Sequence, residues 1–151
     1  MRTMLSLISA IAFGAAVACF PALAEDAVDA TAIRHLMMAT FDKPEAPLTV
    51  GPITVAGDVA VAGWAQGETG GRALLRRKDA AWALALCSGD ALREAKALRH
   101  FGLTPAEAEA MARAVVEAEA RLDPALVARF SAFDGVVMMD EQGHHPPAHG
   151  G

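Results

Sequence analysis

Ile33, Leu36, Met37, Thr40 and Phe41 recur at the three- and four-residue spacing of one helix face. The spacing predicts a helix started by an Asp26 or Asp29 cap and stopped by Lys43-Pro44 and Ala46-Pro47. Downstream the period changes to two. Leu48 to Val55, Val59 to Gln66, Arg72 to Lys78 and Ala81 to Cys87 read as strands, parted by Ala56-Gly57-Asp58, Gly67 to Gly71 and Asp79-Ala80. Connections this short join antiparallel neighbours, so the pattern predicts a meander of about four strands. Pro52 cannot donate to a ladder, which makes the first run an edge strand or splits it.

Helical character returns after Ser88-Gly89-Asp90, where a helix from Ala91 to about Phe101 is closed by Gly102. Thr104-Pro105-Ala106-Glu107 is a capping box with proline at the first helical position. It opens a helix to about Leu122 with Met111, Val115 and Leu122 on the buried stripe. Asp123-Pro124 repeats the device for a short helix through about Ala132, and Val136 to Met139 suits a last strand on an open sheet edge. The expected fold class is α+β: an N-terminal helix on a curved antiparallel sheet, two or three further helices, and a flexible Met/His tail.

The N-terminus changes the picture. Arg2 provides a positive start, Met4 to Ala18 is nearly all apolar, and Ala22-Leu23-Ala24 forms an A-x-A cleavage site. Residues 1–24 therefore read as a signal peptide, the mature chain begins at Glu25, and the expected location is the periplasm. The apolar run falls short of the roughly twenty residues of a membrane span. A lipid anchor at Cys19 is the rival reading, weakened because Ala16-Val17-Ala18 lacks the usual leucine three positions earlier. The remaining organisation is one α+β domain over 25–139 and a His/Pro/Gly tail over 140–151.

The formal charge of −5 becomes more negative once Arg2 is removed, which argues against a nucleic-acid partner. With Cys19 gone, Cys87 is alone and no internal disulfide is available. Cys87 reads first as a small buried side chain and second as a soft metal ligand.

Candidate chemistry gathers at the C-terminus, where Met138, Met139, His144, His145 and His149 place two thioethers and three imidazoles, with Asp140 nearby. Thioether sulfur prefers Cu(I) and imidazole accepts Cu(II), so the set suits copper through both oxidation states. Adjacent methionines diverge, by about 100° on a helix or to opposite faces of a strand. One residue from Met37-Met38 can instead meet one from Met138-Met139. Met37 lies on the apolar stripe and reads as core; Met38 and the nearby His35 fall off it and are the ligand candidates. His100 is explained by its helix C-terminus, and Arg76-Arg77-Lys78 reads as an exposed strand end. No GxSxG, P-loop, HExxH or paired-cysteine motif is present, so the chain is not expected to be an enzyme.

Three strings, RHLMMATFDKPEAPLTV, VAGWAQGETGGRALLRRKDAAWALALCSGDAL and GVVMMDEQGHHPPAHG, resemble the small exported bacterial proteins called copper uptake system-associated proteins. The resemblance covers nearly all of the mature chain and implies a periplasmic accessory to copper import, acting with membrane copper transport proteins. It assigns no ligand set. Two other readings stay open: a small-molecule module with Trp64 and Trp82 lining a pocket between helix and sheet, and a metal-free adaptor for a membrane copper importer.

Overall fold

A computed structural model describes residues 21–139. The predicted signal peptide, apart from its last residues, and the tail with Asp140, His144, His145 and His149 lie outside the described residues. The arrangement is α+β: a long helix, a five-stranded antiparallel sheet, and three further helices.

Helix α1 spans Pro21–Phe41, so it begins ahead of both proposed caps. Asp29 lies inside it rather than at its start, one helical repeat from Ile33 and two from Met37, and all three side chains are buried. The carboxylate finds partners across the core, in Arg77 of the sheet and the Trp82 indole N–H. A buried carboxylate at this spacing is stable only because those partners reach it.

The sheet runs β1 (Leu48–Ala56), β2 (Val59–Gln66), β3 (Thr69–Lys78), β4 (Ala81–Ser88) and β5 (Val136–Met138), each strand beside the next in sequence. The four-strand meander stands, and β5 joins the open edge of β4 as expected, pairing Cys87 with Val137 and Leu86 with Met138. β1 is an edge strand whose register shifts between Val50 and Ile53, around a cis Gly51-Pro52 bond. β3 starts earlier than expected: Thr69, Gly70 and Gly71 belong to the strand, not to the preceding loop. A Cβ on Gly71 would stand 2.9 Å from the Phe133 ring and 3.0 Å from Trp64, so packing rather than a turn demands glycine there.

A second register shift, opposite Leu74 and Leu75, leaves Ala85 as an extra residue in β4. Both faces of the sheet are covered. Ile33 and Met37 of α1 pack on Val50, Ala62, Ala73, Leu75, Leu84 and Cys87 on one face. Val61, Leu74 and Leu86 meet Leu92, Leu98, Met111 and Val115 on the other.

The expected helix from Ala91 to Phe101 is two pieces, a 3₁₀ turn at Asp90–Arg93 and α2 at Ala95–His100, with Glu94 extended between them. Leu92 and Leu98 are both fully buried in the same cluster. Six residues apart on one continuous helix they would point about 120° from each other, so the break lets both enter the core. The capping box at Thr104 forms as expected and starts α3, Pro105–Glu119, which ends before Leu122. Helix α4, Pro124–Ser131, is capped by Asp123 accepting from the Ala125 N–H.

A buried ion pair ties β3 to this helical layer. Arg72 is fully buried and donates through Nε and Nη2 to the two carboxylate oxygens of Glu119 at 2.6 and 2.8 Å. Its Nη1 lies 3.3 Å from Asp90 and its guanidinium sits over the Phe130 ring.

Candidate functional site

The end of the sheet where α1 stops is not filled. Phe41 closes the helix, and Gln66 Nε2 donates to the carbonyls of Phe41 and Ala46 at 2.8 and 2.7 Å. Asp42 accepts from the Leu48 N–H at 2.7 Å. These bonds pin the helix end against β1 and β2. The chain leaving α4 returns on the same side, placing Phe133 edge-on against Trp64 with ring centroids 5.8 Å apart. Between these elements lies a cavity of about 300 Å³, lined by Met37, Phe41, Leu48, Trp64, Cys87 and Met139, with Gln66, Phe133 and Val137 completing it.

Three sulfur-bearing side chains share that wall. Met37 comes from the buried stripe of α1, Cys87 from the end of β4, and Met139 from the residue after β5. The antiparallel register decides which methionine of the C-terminal pair turns inward. Val137 is opposite Cys87, so Met139, two residues on, shares the cavity face, while the intervening Met138 is exposed. The Met139 N–H donates to the Ala85 carbonyl at 3.0 Å, which fixes its backbone beside the bulge of β4.

Cys87 is buried and unpaired by disulfide. Burial pushes its thiol up to about 12, while the Trp64 indole N–H acts in the opposite direction by favouring the thiolate. That N–H is buried and makes no well-formed hydrogen bond. The cavity wall thus contains a buried donor whose nearest acceptor, the Cys87 sulfur, is a weak one.

The other sequence-predicted ligands are dispersed. Met38 packs against the core cluster. His35 is exposed on the outward face of α1, in a shallow groove with Val28, Thr31 and Ala39. Met138 lies outside, in a groove shared with Arg76, Lys78 and Ala83. His35 and Met138 lie outside the cavity, Met38 packs on the same core cluster as Met139, and the members of the two pairs that line the cavity are Met37 and Met139. Among the described residues, no group of three or more His, Cys, Asp and Glu side chains is placed to hold a metal ion.

Trp64 lines the cavity as the pocket reading requires, whereas Trp82 is buried away from it, with Arg77 stacked over its ring at 4.5 Å. Arg77 is accordingly a structural cation, bonded to Asp29 and Asp58, and the Arg77 hydrogen bond holds the Asp29 carboxyl below the usual carboxylate range. Sequence reasoning missed Phe133 and Gln66. The only local sign was an aromatic residue just before Asp134-Gly135, outside any helical stripe.

Among the described residues, no helix is long and apolar enough to cross a membrane. No protein-family model, curated protein or solved structure matches the chain.

Proposed function

We propose that this protein is an exported copper-handling accessory, not an enzyme, which binds copper and acts with membrane copper transport proteins. The observation that carries the reading is that Met37 and Met139, one from each Met-Met pair, line the same cavity as Cys87. Thioether and thiolate sulfur select soft ions, with Cu(I) foremost. The tail histidines His144, His145 and His149 add imidazoles suited to Cu(II). Together the two donor sets equip one small chain for copper on either side of its redox couple.

Titration of the purified chain tests this, with Cu(I) against a chelator under reducing conditions and with Cu(II) in air. The expected result is binding of both ions. Replacing His144, His145 and His149 weakens Cu(II) alone, and replacing Met37 and Met139 with leucine, which keeps volume and removes sulfur, weakens Cu(I) alone. Absence of binding for both ions overturns the reading.

A second reading is favoured by the cavity itself, whose walls are almost wholly apolar and whose volume of about 300 Å³ suits a small organic ligand. It would make the protein a small-molecule carrier. Native mass spectrometry of the protein as purified distinguishes the two: an organic adduct supports the carrier, and a copper adduct supports the accessory.

A further inference from the structure

The charge of the cavity's donor set determines which ion it can take. Met37 and Met139 offer neutral thioethers, and Cys87 is the one lining side chain that can become an anion. A monovalent ion held by one thiolate and two thioethers forms a complex of zero net charge. A divalent ion in the same place leaves one uncompensated positive charge among Phe41, Leu48, Trp64 and Phe133. Burying a charge without a partner is costly, whereas a neutral complex fits apolar walls.

A second observation points the same way. The Trp64 indole N–H is buried on this wall, where Cys87 also lies, without a well-formed hydrogen bond. A metal-bound thiolate is a stronger acceptor for that N–H than a protonated sulfur. The methionines, each with three rotatable side-chain bonds, can close the space around an ion smaller than the cavity.

We infer that the cavity is a selective site for a monovalent soft cation, in which Cys87 supplies the anionic ligand, Met37 and Met139 complete the coordination, and Trp64 steadies the thiolate. The inference rests on the copper reading and deepens it by naming the ligands and excluding divalent ions. On binding, the Cys87 S–H bond breaks, a Cu–S bond forms, the proton passes to solvent, and no electron is transferred. Trp64 is a positioning residue, acting through the sulfur.

The test uses the full mature chain loaded with one equivalent of Cu(I) under reducing conditions, with Ag(I) as a redox-inert substitute. X-ray absorption should show a shell of sulfur alone, and Trp64→Phe should move the near-ultraviolet band of the thiolate complex. Cys87→Ala should weaken Cu(I) by about a hundredfold or more, equivalent to two decades on the affinity scale, with circular dichroism confirming that the variant folds. Zn(II) in excess should not displace Cu(I), and deletion from Gln142 onward should leave Cu(I) affinity unchanged. A nitrogen shell, or Cu(I) affinity lost with the tail and kept in Cys87→Ala, overturns the cavity assignment while leaving copper handling in place. No Cu(I) or Cu(II) binding anywhere on the chain overturns both.

Discussion

Replacing Glu119 with glutamine is the sharpest test of what holds the helical layer to the sheet. Arg72 has no exposed surface and Glu119 is 3% exposed, so neither charge is hydrated in the folded state. Both guanidinium nitrogens that face Glu119 make short bonds, at 2.6 and 2.8 Å. Asp90, the other acid near Arg72, is 56% exposed in its side chain and more distant at 3.3 Å, so water screens most of its compensation. Glu119→Gln keeps the shape and leaves the buried arginine largely unpaired, which costs about 3–5 kcal/mol. At about 4 °C per kcal/mol for a domain of this size, the midpoint falls by roughly 10–20 °C. Arg72→Met should cost less, because Arg93 Nε stays 3.4 Å from the Glu119 carboxylate and partly compensates it. The double variant, Arg72→Met with Glu119→Met, removes both charges and should recover part of the loss, with a coupling of about 1–3 kcal/mol. Urea unfolding monitored by circular dichroism measures all three variants. If Glu119→Gln lies within about 1 kcal/mol of the parent, or if the single losses simply add, the pair does not anchor the layer as argued.

Three further outcomes are expected. Asp29 has a lowered folded-state value caused chiefly by its Arg77 hydrogen bond, so its stabilisation is present above the unfolded value near about 4 and is lost as pH falls through the lowered one; the stability gap between the parent and Asp29→Asn, large at neutral pH, should therefore close in acid, as acid titration of unfolding would reveal. Gly89→Ala drives a Cβ into the Phe133 carbonyl oxygen and should cost about 1–3 kcal/mol while shifting Trp64 fluorescence, because Phe133 packs on that ring. Deletion from Gln142 onward removes only Gln, Gly, Pro, His and Ala, so metal-free thermal midpoints should agree within a few degrees, and a large fall would mean that the tail packs on the domain.

The meander was legible because each of its signals is local: alternation within a strand, a turn after it, a strand again. The capping box and the two proline starts were equally local, which is why α3 and α4 begin where expected. Asp29 was misread as a cap because its partners, Arg77 and Trp82, lie 48 and 53 positions away and leave no trace nearby. The break at Glu94 has the same character, since only the shared core of Leu92 and Leu98 requires it. For the candidate site, side-chain geometry ruled out one adjacent pair clasping one ion and left room for one methionine of each pair to converge. Which two was undetermined until the pairing of Cys87 with Val137 set the phase of Met139. Met37 was assigned to the core and Met38 to the ligand set, yet a core position on α1 is also what faces the cavity, because the cavity is an unfilled part of that core.

The order of the strands has a consequence for how the molecule is assembled. β1 to β4 pair only with sequence neighbours, so the sheet can zip by short-range closures that cost little chain entropy and favour fast folding. The cavity is built on the opposite plan: Met37 and Phe41 come from the start of the described chain, and Phe133, Val137 and Met139 from its end. Its walls exist only after the last residues have returned to β4. As the chain emerges N-terminus first, the four-strand scaffold can therefore form while the cavity still lacks a side, and the edge of β4 at Cys87 stays unpaired until β5 docks beside it.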